Sequence, residues 1–580
     1  MNFNQLWGDL IIEELVRLGT QCFCISPGSR STPLTLAVAK NPRAKSIVFF
    51  DERASSYFAL GHTRGSGIPA VLICTSGTAA ANYLPAVIES SIEQIPMLVL
   101  TADRPPELRD TGANQSINQT HIFGRYTRWF FDPGCPNQDF KLEALLSMID
   151  HAIFKTVRPL PGPVHINLQF REPFFSDIDS KEIQKIKNNI SKKIYVKYST
   201  SENFLPKTDI KNLLKNRPQS GILSIGRVPR DSLVLIRELA SKLGWPVFAD
   251  ITSGLRLGKN CPNRVTYYDQ LLVKNMLSPS KCKVDAIWHI GSPPTSKRWL
   301  EIWENRPSPQ MVWIADHCER HDPSHNFTWR IETGILNFCK QILSELKSNK
   351  DKKVLYKKSL SWFEAERKIE KIFEKYFSSG AEKDNINDIS LARKVSELVP
   401  PNHGFFIGNS LPVRVLDSFG SGKGSDIPTT LNRGASGIDG LIASACGYSS
   451  GLNRPVTLFI GDLSALHDLN SFKLIADSQN PILIILLNNH GGGIFSLLPI
   501  SQKTEIFDHF FGAQHDYNFR NIAKMFDLNY FNPKSIVDFE LKYKKAIIEN
   551  KSSVIEIFTN RDEINKKLND IHKKTKKIIV

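Results

Sequence analysis

Two polar residues that each follow an apolar run have the types and spacing to hold a metal ion. Asp462 follows TLFIG, and Asn489, 27 residues later, follows LIILLN. Because the carboxyl ends of parallel strands meet at one sheet edge, we expect the two side chains to emerge together. With the carbonyl of Gly491 they would give half of an oxygen shell for Mg²⁺, which takes few protein ligands. Separately, a Gly-Asp pair and an Asn-Asn turn are typical of a helix cap and a turn; together, after two strands, they favour the metal site.

A second candidate is Glu52, which with Asp51 follows the apolar run SIVFF. On this segment alone, an acidic residue that stabilises a helix N-terminus is the simpler interpretation. A carboxylate presented to a ligand at the end of a strand is the alternative. The chemistry of the rest of the chain has to decide between them.

A third candidate is the segment SPGSRSTP (26–33), which follows the strand-like run CFCI. A glycine turn, Ser/Thr residues and a proline at the first helical position predict a strand-to-helix turn. Its backbone amides and Arg30 would form an anion site. From these residues alone, only a carboxylate or phosphate partner can be inferred.

The elements that must position these residues form three α/β units. Short apolar runs alternate with helical patterns, which predicts doubly wound domains with buried parallel strands. The runs of the first unit are 22–26, 46–50, 70–74 and 96–101; those of the second are 221–226, 246–250, 286–291 and 311–316; those of the third are 404–408, 457–461, 483–488 and 554–558. In the third unit, helices are predicted near 438–450 and 464–478.

Lysine-rich stretches at 181–197 and 347–358 separate the units, so the predicted domains are 1–180, 198–346 and 385–562. No G-x-G-x-x-G follows a strand of the second domain, which favours a spacer without a dinucleotide site. The first and third units share the order strand, polar turn, helix, strand, which suggests two related domains flanking a different one.

Composition argues against several classes of protein. Most of the net charge of +16 lies in the two lysine-rich stretches and in 561–580, which favours solvated connectors over a nucleic-acid surface. No apolar run is long enough to span a bilayer. The N-terminal residues are typical of an amphipathic helix rather than a signal peptide. Nine scattered cysteines without a C-x-x-C pair favour the reducing cytoplasm over a disulfide framework or a zinc site.

Eight segments, in order, together resemble the SEPHCHC synthases, a family of thiamine-diphosphate enzymes in menaquinone and phylloquinone biosynthesis. They are SPGSRSTPLTLA, FDERASSYFALG, TSGTAAANYLPAVIE, LTADRPPELRDTGANQ, GNSLPVR, NRGASGIDG, GDLSALHDLN and NNHGGGIFSLLP, and they span positions 26–499. The middle domain offers one match, GSPPTSKRW. One departure is Leu463, at a position where thiamine enzymes usually have glycine.

The resemblance implies a carboligase with pyrimidine-binding, middle and diphosphate-binding domains. Such enzymes decarboxylate 2-oxoglutarate on thiamine diphosphate and add the resulting four-carbon carbanion to isochorismate in a 1,4-addition. The cofactor would be anchored by Mg²⁺, with Mn²⁺ as a substitute. Which of the two quinones is the end product is left open.

The resemblance also assigns roles to individual residues. Glu52 resembles the carboxylate that activates the cofactor through its aminopyrimidine ring, and Asp462, Asn489 and Gly491 resemble the Mg²⁺ ligands. Residues similar to those that hold the carboxylate derived from 2-oxoglutarate are Ser410, Arg414 and Arg433, of which Ser410 is also similar to a cofactor-binding residue. The set similar to the isochorismate residues is Ser29, Arg30, Arg104, Asn114, Gln115, Lys297 and Arg298. Ile438, Ile494 and Phe495 resemble apolar residues around the cofactor, with core packing as the alternative.

In this superfamily, one subunit holds the diphosphate and another supplies the carboxylate. The resemblance therefore implies a homodimer or homotetramer with active sites at subunit interfaces. Three other interpretations stay open: another thiamine-diphosphate-dependent decarboxylase or carboligase, a non-catalytic protein of this fold, and a nucleic-acid-binding protein. The arginines of GNSLPVR and NRGASG favour a dicarboxylate substrate over pyruvate.

Overall fold

The chain forms two compact units in a computed structural model that describes residues 2–175, 186, 193–215, 220–273, 284–305, 310–348, 357–378, 384–502, 504–575 and 578. One unit comprises Met1–Thr200, Asn432–Val456 and Ser464–Ile482. The other comprises Ser201–Leu431, Thr457–Leu463 and Leu483–Val580. Much of the two predicted lysine-rich connectors, 181–197 and 347–358, lies outside the described residues.

The first sheet has six strands in the order β2-β1-β3-β4-β6-β5, and its neighbours pair in parallel. Its strands are Cys22–Ile25 (β1), Lys45–Val48 (β2), Ala70–Cys74 (β3), Met97–Asp103 (β4), Trp129–Phe131 (β5) and Pro163–Gln169 (β6). The helices of this part are Phe3–Arg17 (α1), Thr32–Lys40 (α2), Glu52–Ser66 (α3), Thr78–Ala81 (α4), Leu84–Ile92 (α5) and Leu142–Val157 (α6). The strand order reverses between β1 and β3, which is where ligands bind in doubly wound folds.

The second sheet has five parallel strands in the order β11-β10-β9-β7-β8. Its strands are Gly221–Ile225 (β7), Val247–Ala249 (β8), Ala286–Ile290 (β9), Gln310–Ala315 (β10) and Trp329–Glu332 (β11). The helices of this part are Lys207–Lys215 (α7), Leu233–Leu243 (α8), Tyr268–Leu272 (α9), Lys297–Asn305 (α10), Ile335–Ser348 (α11) and Lys357–Ser378 (α12).

The third sheet has six strands in the order β13-β12-β14-β15-β17-β16. Its strands are Gly404–Ile407 (β12), Thr429–Thr430 (β13), Val456–Gly461 (β14), Ile482–Asn488 (β15), Asn529–Phe531 (β16) and Ser553–Phe558 (β17). The helices of this part are Asp388–Leu398 (α13), Leu411–Phe419 (α14), Leu441–Leu452 (α15), Asp462–His467 (α16), Phe472–Ala476 (α17), Thr504–Phe510 (α18), Arg520–Met525 (α19), Ile536–Glu549 (α20) and Arg561–Thr575 (α21). Here the order reverses between β12 and β14.

The predicted α/β class is confirmed, and the predicted strands are present with shifts of one or two residues at their ends. The prediction that the run 46–50 is a buried strand is wrong: β2 is an edge strand, and Val48 and Phe50 are 59% and 60% exposed. The predicted helix at 464–478 is also wrong as one element. It is broken into α16, a 3₁₀ turn at Leu469–Ser471, and α17.

Local sequence explains where the helices next to the predicted site begin. Asn2 caps the amphipathic helix α1 by accepting the amide of Gln5, and Asp51 caps α3 by accepting the amide of Ala54. Helix α3 packs closely against α15, since a Cβ on Gly447 would lie 2.0 Å from the carbonyl oxygen of Phe58. Glycine is thus required there, and the pair fixes the position of Glu52 at the start of α3.

Candidate active site

Asp462 is the buried carboxylate at the carboxyl end of β14. Its side chain is 3% exposed. One oxygen accepts the amide of Leu463 at 2.7 Å, and the other accepts the amide of Gly491 at 2.9 Å. Nε2 of His515 lies 3.3 Å from that second oxygen. Burial raises the pKa of Asp462, while the two amides and the His515 ring oppose this shift. A cation beside Asp462 would offset the cost of burying its charge.

Asn489 and Gly491 lie in the turn after β15, next to β14 in the sheet. The side-chain oxygen of Asn489 is buried and has no hydrogen-bond partner among the residues that the structure describes. Gly491 has φ of +141°, and a Cβ there would lie 2.2 Å from the carbonyl oxygen of Gly512, so only glycine fits. A buried oxygen without a donor beside a buried carboxylate fits a bound cation.

The residue types at this edge indicate which cation would fit. Among the described residues, no group of three or more His, Cys, Asp and Glu side chains could hold a metal. A cation at Asp462 would therefore take amide and carbonyl oxygens as its other protein ligands. That mixed, oxygen-only set suits a hard cation such as Mg²⁺.

Histidine 515 is the neighbour of Asp462 that the sequence did not reveal. It lies after α18, and its backbone amide contacts the carbonyl of His490 at 3.4 Å, while Nδ1 of His490 lies 3.0 Å from the carbonyl of His515. His490 itself has φ of +61° in the turn. No spacing or motif connects these two segments, because only the fold brings them together.

Ser410 and Arg414 lie at the carboxyl end of β12, the neighbour of β14 at the point where the strand order reverses. Ser410 precedes α14 with φ of +69°, an uncommon conformation for a residue other than glycine. Arg414 donates to the carbonyl of Ser410 at 2.7 Å, one turn along the helix. This places a guanidinium and a hydroxyl group at the same sheet edge as Asp462.

The remaining predicted residues of this unit are Ile494, Phe495, Lys297 and Arg298. Ile494 and Phe495 lie in the 3₁₀ helix Gly493–Leu497, and Phe495 is 37% exposed, so neither is a core residue. Lys297 and Arg298 begin α10. Lys297 is exposed and lies 3.6 Å from Glu301, whereas Arg298 pairs with the buried Asp269.

Glu52 is the first residue of α3 in the other unit. It lines an open cleft of about 420 Å³ together with Phe50, Asp51, Arg53, Asn82 and Asn470. Most of these side chains are polar, and Asn470 donates to Asp51 at 3.1 Å. The structure therefore presents the Glu52 carboxylate to a polar cleft rather than burying it in a helix contact.

A cationic cluster lies at the reversal between β1 and β3 of the same unit. Arg30 is buried and donates to the carbonyl of Phe170 at 2.6 Å. Arg104 and Gln115 meet at Ser76, through its hydroxyl group and its carbonyl respectively. Burial and the charge of Arg104 lower the pKa of Arg30. Ser29, Asn114 and Gln115 are exposed. An anion would relieve the repulsion between the two guanidinium groups.

Arg433 and Ile438 lie in the loop before α15, and both are partly exposed. Arg433 donates to the hydroxyl group of Ser436 at 3.1 Å. The candidate residues thus fall into sets within each unit: Glu52, the Arg30 and Arg104 cluster and Arg433 in one, and Asp462, Asn489, Ser410 and Arg414 in the other.

Comparison with known sequence families identifies the class. Profiles of thiamine pyrophosphate enzymes match the N-terminal TPP binding domain at residues 7–122, the middle domain at 181–407 and the C-terminal TPP binding domain at 428–557. The chain is therefore a thiamine-diphosphate enzyme with α/β domains of that type, as the sequence predicted.

Curated relatives narrow the class to one family. The chain is 39% identical to the 2-succinyl-5-enolpyruvyl-6-hydroxy-3-cyclohexene-1-carboxylate (SEPHCHC) synthase of Rubrobacter xylanophilus, over 97% of this chain and 96% of that protein. It is 40% identical to the enzymes of that name from Chlorobium phaeobacteroides, over 98% of each chain, and Prosthecochloris aestuarii, over 97% of this chain and 96% of that protein. The chain belongs to the SEPHCHC synthase family. None of its described helices has the length and apolar character needed to cross a bilayer.

Proposed function

We propose that this enzyme decarboxylates 2-oxoglutarate on thiamine diphosphate and transfers the four-carbon unit to isochorismate, giving SEPHCHC for menaquinone or phylloquinone biosynthesis. The observation that carries the proposal is the identity of about 40% to enzymes of that name over nearly the whole chain. The cationic cluster of Arg30 and Arg104, together with the arginines Arg414 and Arg433, supports it, since both substrates are anionic. Thiamine diphosphate supplies the stabilisation of the negative charge left when CO₂ departs.

Asp462, Asn489 and the Gly491 carbonyl would hold Mg²⁺, or Mn²⁺ as a substitute, which in turn binds the diphosphate. The buried oxygen of Asn489, which no described residue contacts as a hydrogen-bond donor, and the buried carboxylate of Asp462 support this assignment. Ser410, Ile438, Ile494 and Phe495 would contact the cofactor. Glu52 would hold a proton at N1′ of its aminopyrimidine ring, a task that needs a carboxylate facing a cleft.

Ser410, Arg414 and Arg433 would bind the carboxylate of 2-oxoglutarate, and bidentate guanidinium pairing suits that group better than lysine does. The remaining cationic and polar residues would receive isochorismate, namely Ser29, Arg30, Arg104, Asn114, Gln115, Lys297 and Arg298. The Arg298–Asp269 ion pair leaves Lys297 as the exposed cation of α10. We propose that both Arg298 and Lys297 contribute to binding isochorismate.

The proposed domains are pyrimidine-binding 1–180, middle 198–346 and diphosphate-binding 385–562. We further propose a homodimer or homotetramer whose active sites lie at subunit interfaces. A cytoplasmic location accords with the free thiols of the described cysteines.

The test is incubation with thiamine diphosphate, Mg²⁺, 2-oxoglutarate and isochorismate, followed by mass analysis of the product. We expect SEPHCHC from the wild type and a loss of about 100-fold or more in turnover for Glu52→Gln, because an amide cannot replace the carboxylate at N1′. Glu143→Gln, exposed in the first turn of α6, is the control and should match the wild type. Decarboxylation of pyruvate in preference to 2-oxoglutarate would favour another enzyme of the class instead.

A further inference from the structure

The loop that carries Arg433 is fixed on both sides of that residue. On one side, the side chain of Asn432 donates to the hydroxyl group of Ser444 at 2.9 Å. On the other, the amides of Gly434 and Ala435 donate to the two oxygens of Glu89, at 2.8 and 2.6 Å. One carboxylate therefore binds two consecutive amides directly after Arg433.

Glu89 lies on α5 and is only 1% exposed. A buried carboxylate is an unusual choice for a purely structural contact. Glu89 forms an ion pair with Arg64 of α3 at 3.5 Å, and the same guanidinium pairs with Glu93 at 3.1 Å. The side chains of all three residues are at most 8% exposed. Burial raises the pKa of Glu89, as does the charge of Glu93, while Arg64 and the two amides act in the opposite direction. Burying a charged triad is costly, and such groups often specify one conformation rather than add stability.

The loop is also pressed against the end of α5. A Cβ on Gly434 would lie 2.9 Å from Cγ of Glu93 and 3.1 Å from both the carbonyl oxygen of Glu89 and Cβ of Ile92. The backbone after Arg433 thus has little room to move away from Glu89. The guanidinium of Arg433 is further restrained by its hydrogen bond to Ser436.

We propose that Glu89 is a positioning residue for the substrate reaction: its carboxylate clamps the backbone amides of Gly434 and Ala435 and thereby aims Arg433 at the carboxylate of the 2-oxo acid. This inference rests on the role proposed for Arg433. Guanidinium pairing with a carboxylate needs the two planes aligned, so a small displacement of the loop weakens substrate binding before it affects other steps.

The test compares Glu89→Gln with Glu93→Gln. A glutamine at 89 keeps one acceptor oxygen but presents an NH₂ group to the second amide, so one of the two clamp bonds is lost. Glu93→Gln removes a carboxylate from the same Arg64 and leaves both clamp bonds in place. We expect Glu89→Gln to raise KM for 2-oxoglutarate by about tenfold, with a smaller change in kcat and no change in KM for isochorismate. The control should stay within about twofold of the wild type.

Hydrogen exchange gives a second measurement that does not depend on activity. Peptides covering 432–440 should exchange faster in Glu89→Gln than in the wild type or in Glu93→Gln, while peptides from β1 should not change. If Glu89→Gln is too unstable to purify, Glu89→Asp keeps the charge but shortens the reach by one methylene group, and should shift KM and exchange in the same direction.

Three results would overturn the inference, and they differ in what else they overturn. An active wild type with an unchanged KM for 2-oxoglutarate in folded Glu89→Gln contradicts the positioning role alone. Faster hydrogen exchange in Glu89→Gln together with a reduced kcat and an unchanged KM for 2-oxoglutarate also contradicts the positioning role alone. A wild type that converts no 2-oxoglutarate contradicts the proposed function together with this inference.

Discussion

At the scale of single residues, the edge of the third sheet that carries Asp462 and Asn489 combines a buried charge with an acceptor that has no donor in the described part of the chain. Asp462 has a protein amide on each oxygen, yet its burial still raises its pKa. Asn489 presents a buried oxygen for which the described residues offer no hydrogen-bond partner. Both features cost stability in an isolated protein, and both would be relieved by one cation.

We predict that Asp462→Asn weakens the binding of thiamine diphosphate in the presence of Mg²⁺ by about 100-fold or more, because a neutral amide replaces the negatively charged carboxylate ligand. The measurement is isothermal titration of the cofactor at fixed Mg²⁺. Asp477→Asn, exposed and paired with Lys473, is the control and should bind like the wild type. Unchanged affinity in Asp462→Asn would contradict the proposed metal site.

The sequence pattern pointed to Asp462 and Asn489, because each directly follows an apolar run whose strand fixes its place at a sheet edge. Glu52 was assigned its role only through the resemblance to thiamine enzymes. The sequence did not point to His515 or Glu89. His515 lies in a loop without a recognisable spacing to Asp462, and Glu89 occupies an ordinary helical position. Their contacts exist only once distant segments have folded together, so periodicity carries no trace of them.

At the scale of elements, two helices of the first unit hold the segment that follows its sheet. Glu14 of α1 accepts the amide of Tyr195 at 2.8 Å, and Asp150 of α6 accepts the amide of Val196 at 2.6 Å. Both acids are at most 1% exposed. Burial, and then the adjacent Glu14 charge, raise the pKa of Asp150 to about 7, against the opposing effect of the Val196 amide.

This pKa has a defined effect on stability. Native Asp150 binds a proton more tightly than the unfolded chain, where its pKa is near 3.8. The native state therefore holds the extra proton between those two values, and the free energy of unfolding falls as pH rises from about 4 to about 7. The slope from this one group is at most about 1.4 kcal/mol per pH unit, and it vanishes above pH 7.

We predict that Asp150→Asn flattens this part of the stability profile. An asparagine can still accept the Val196 amide and can donate to Glu14. The hydrogen bond to the segment therefore stays, while the titration of residue 150 disappears. Urea unfolding at several pH values between 4 and 8 measures the difference. Asp139→Asn, an exposed residue, should keep the wild-type slope. If Asp150→Asn also kept the wild-type slope, the assignment of this pH dependence to Asp150 would be contradicted.

Elements were easier to predict where strands are apolar along their whole length. β6 was not predicted because PVHINLQ alternates apolar and polar residues; its polar members are buried in a network in which Asn167 binds Thr101 and Asp103. β13 and β16 have only two and three residues, too few for a pattern. The burial of β2 was mispredicted because an apolar run does not reveal whether a strand has neighbours on both sides.

At the scale of the whole molecule, the residues assigned to one cofactor are divided between two compact units. Glu52 and Arg433 belong to one, whereas Asp462 and Asn489 belong to the other. The proposed assembly takes Glu52 from one subunit and the metal ligands from another. In such an assembly, a chain with a defective Glu52 still supplies intact metal ligands, and a chain with defective metal ligands still supplies an intact Glu52. Two inactive chains can therefore form one working site between them.

We predict that mixing Glu52→Gln with Asp462→Ala restores activity. Random exchange in a dimer makes half of the molecules mixed, and each mixed dimer has one intact site, so equal amounts should recover about a quarter of the wild-type activity. Subunit exchange is verified with two different affinity tags, and each variant incubated alone is the control. Sites built within one chain would give no recovery despite proven exchange, because every chain would then carry a defect in its own site.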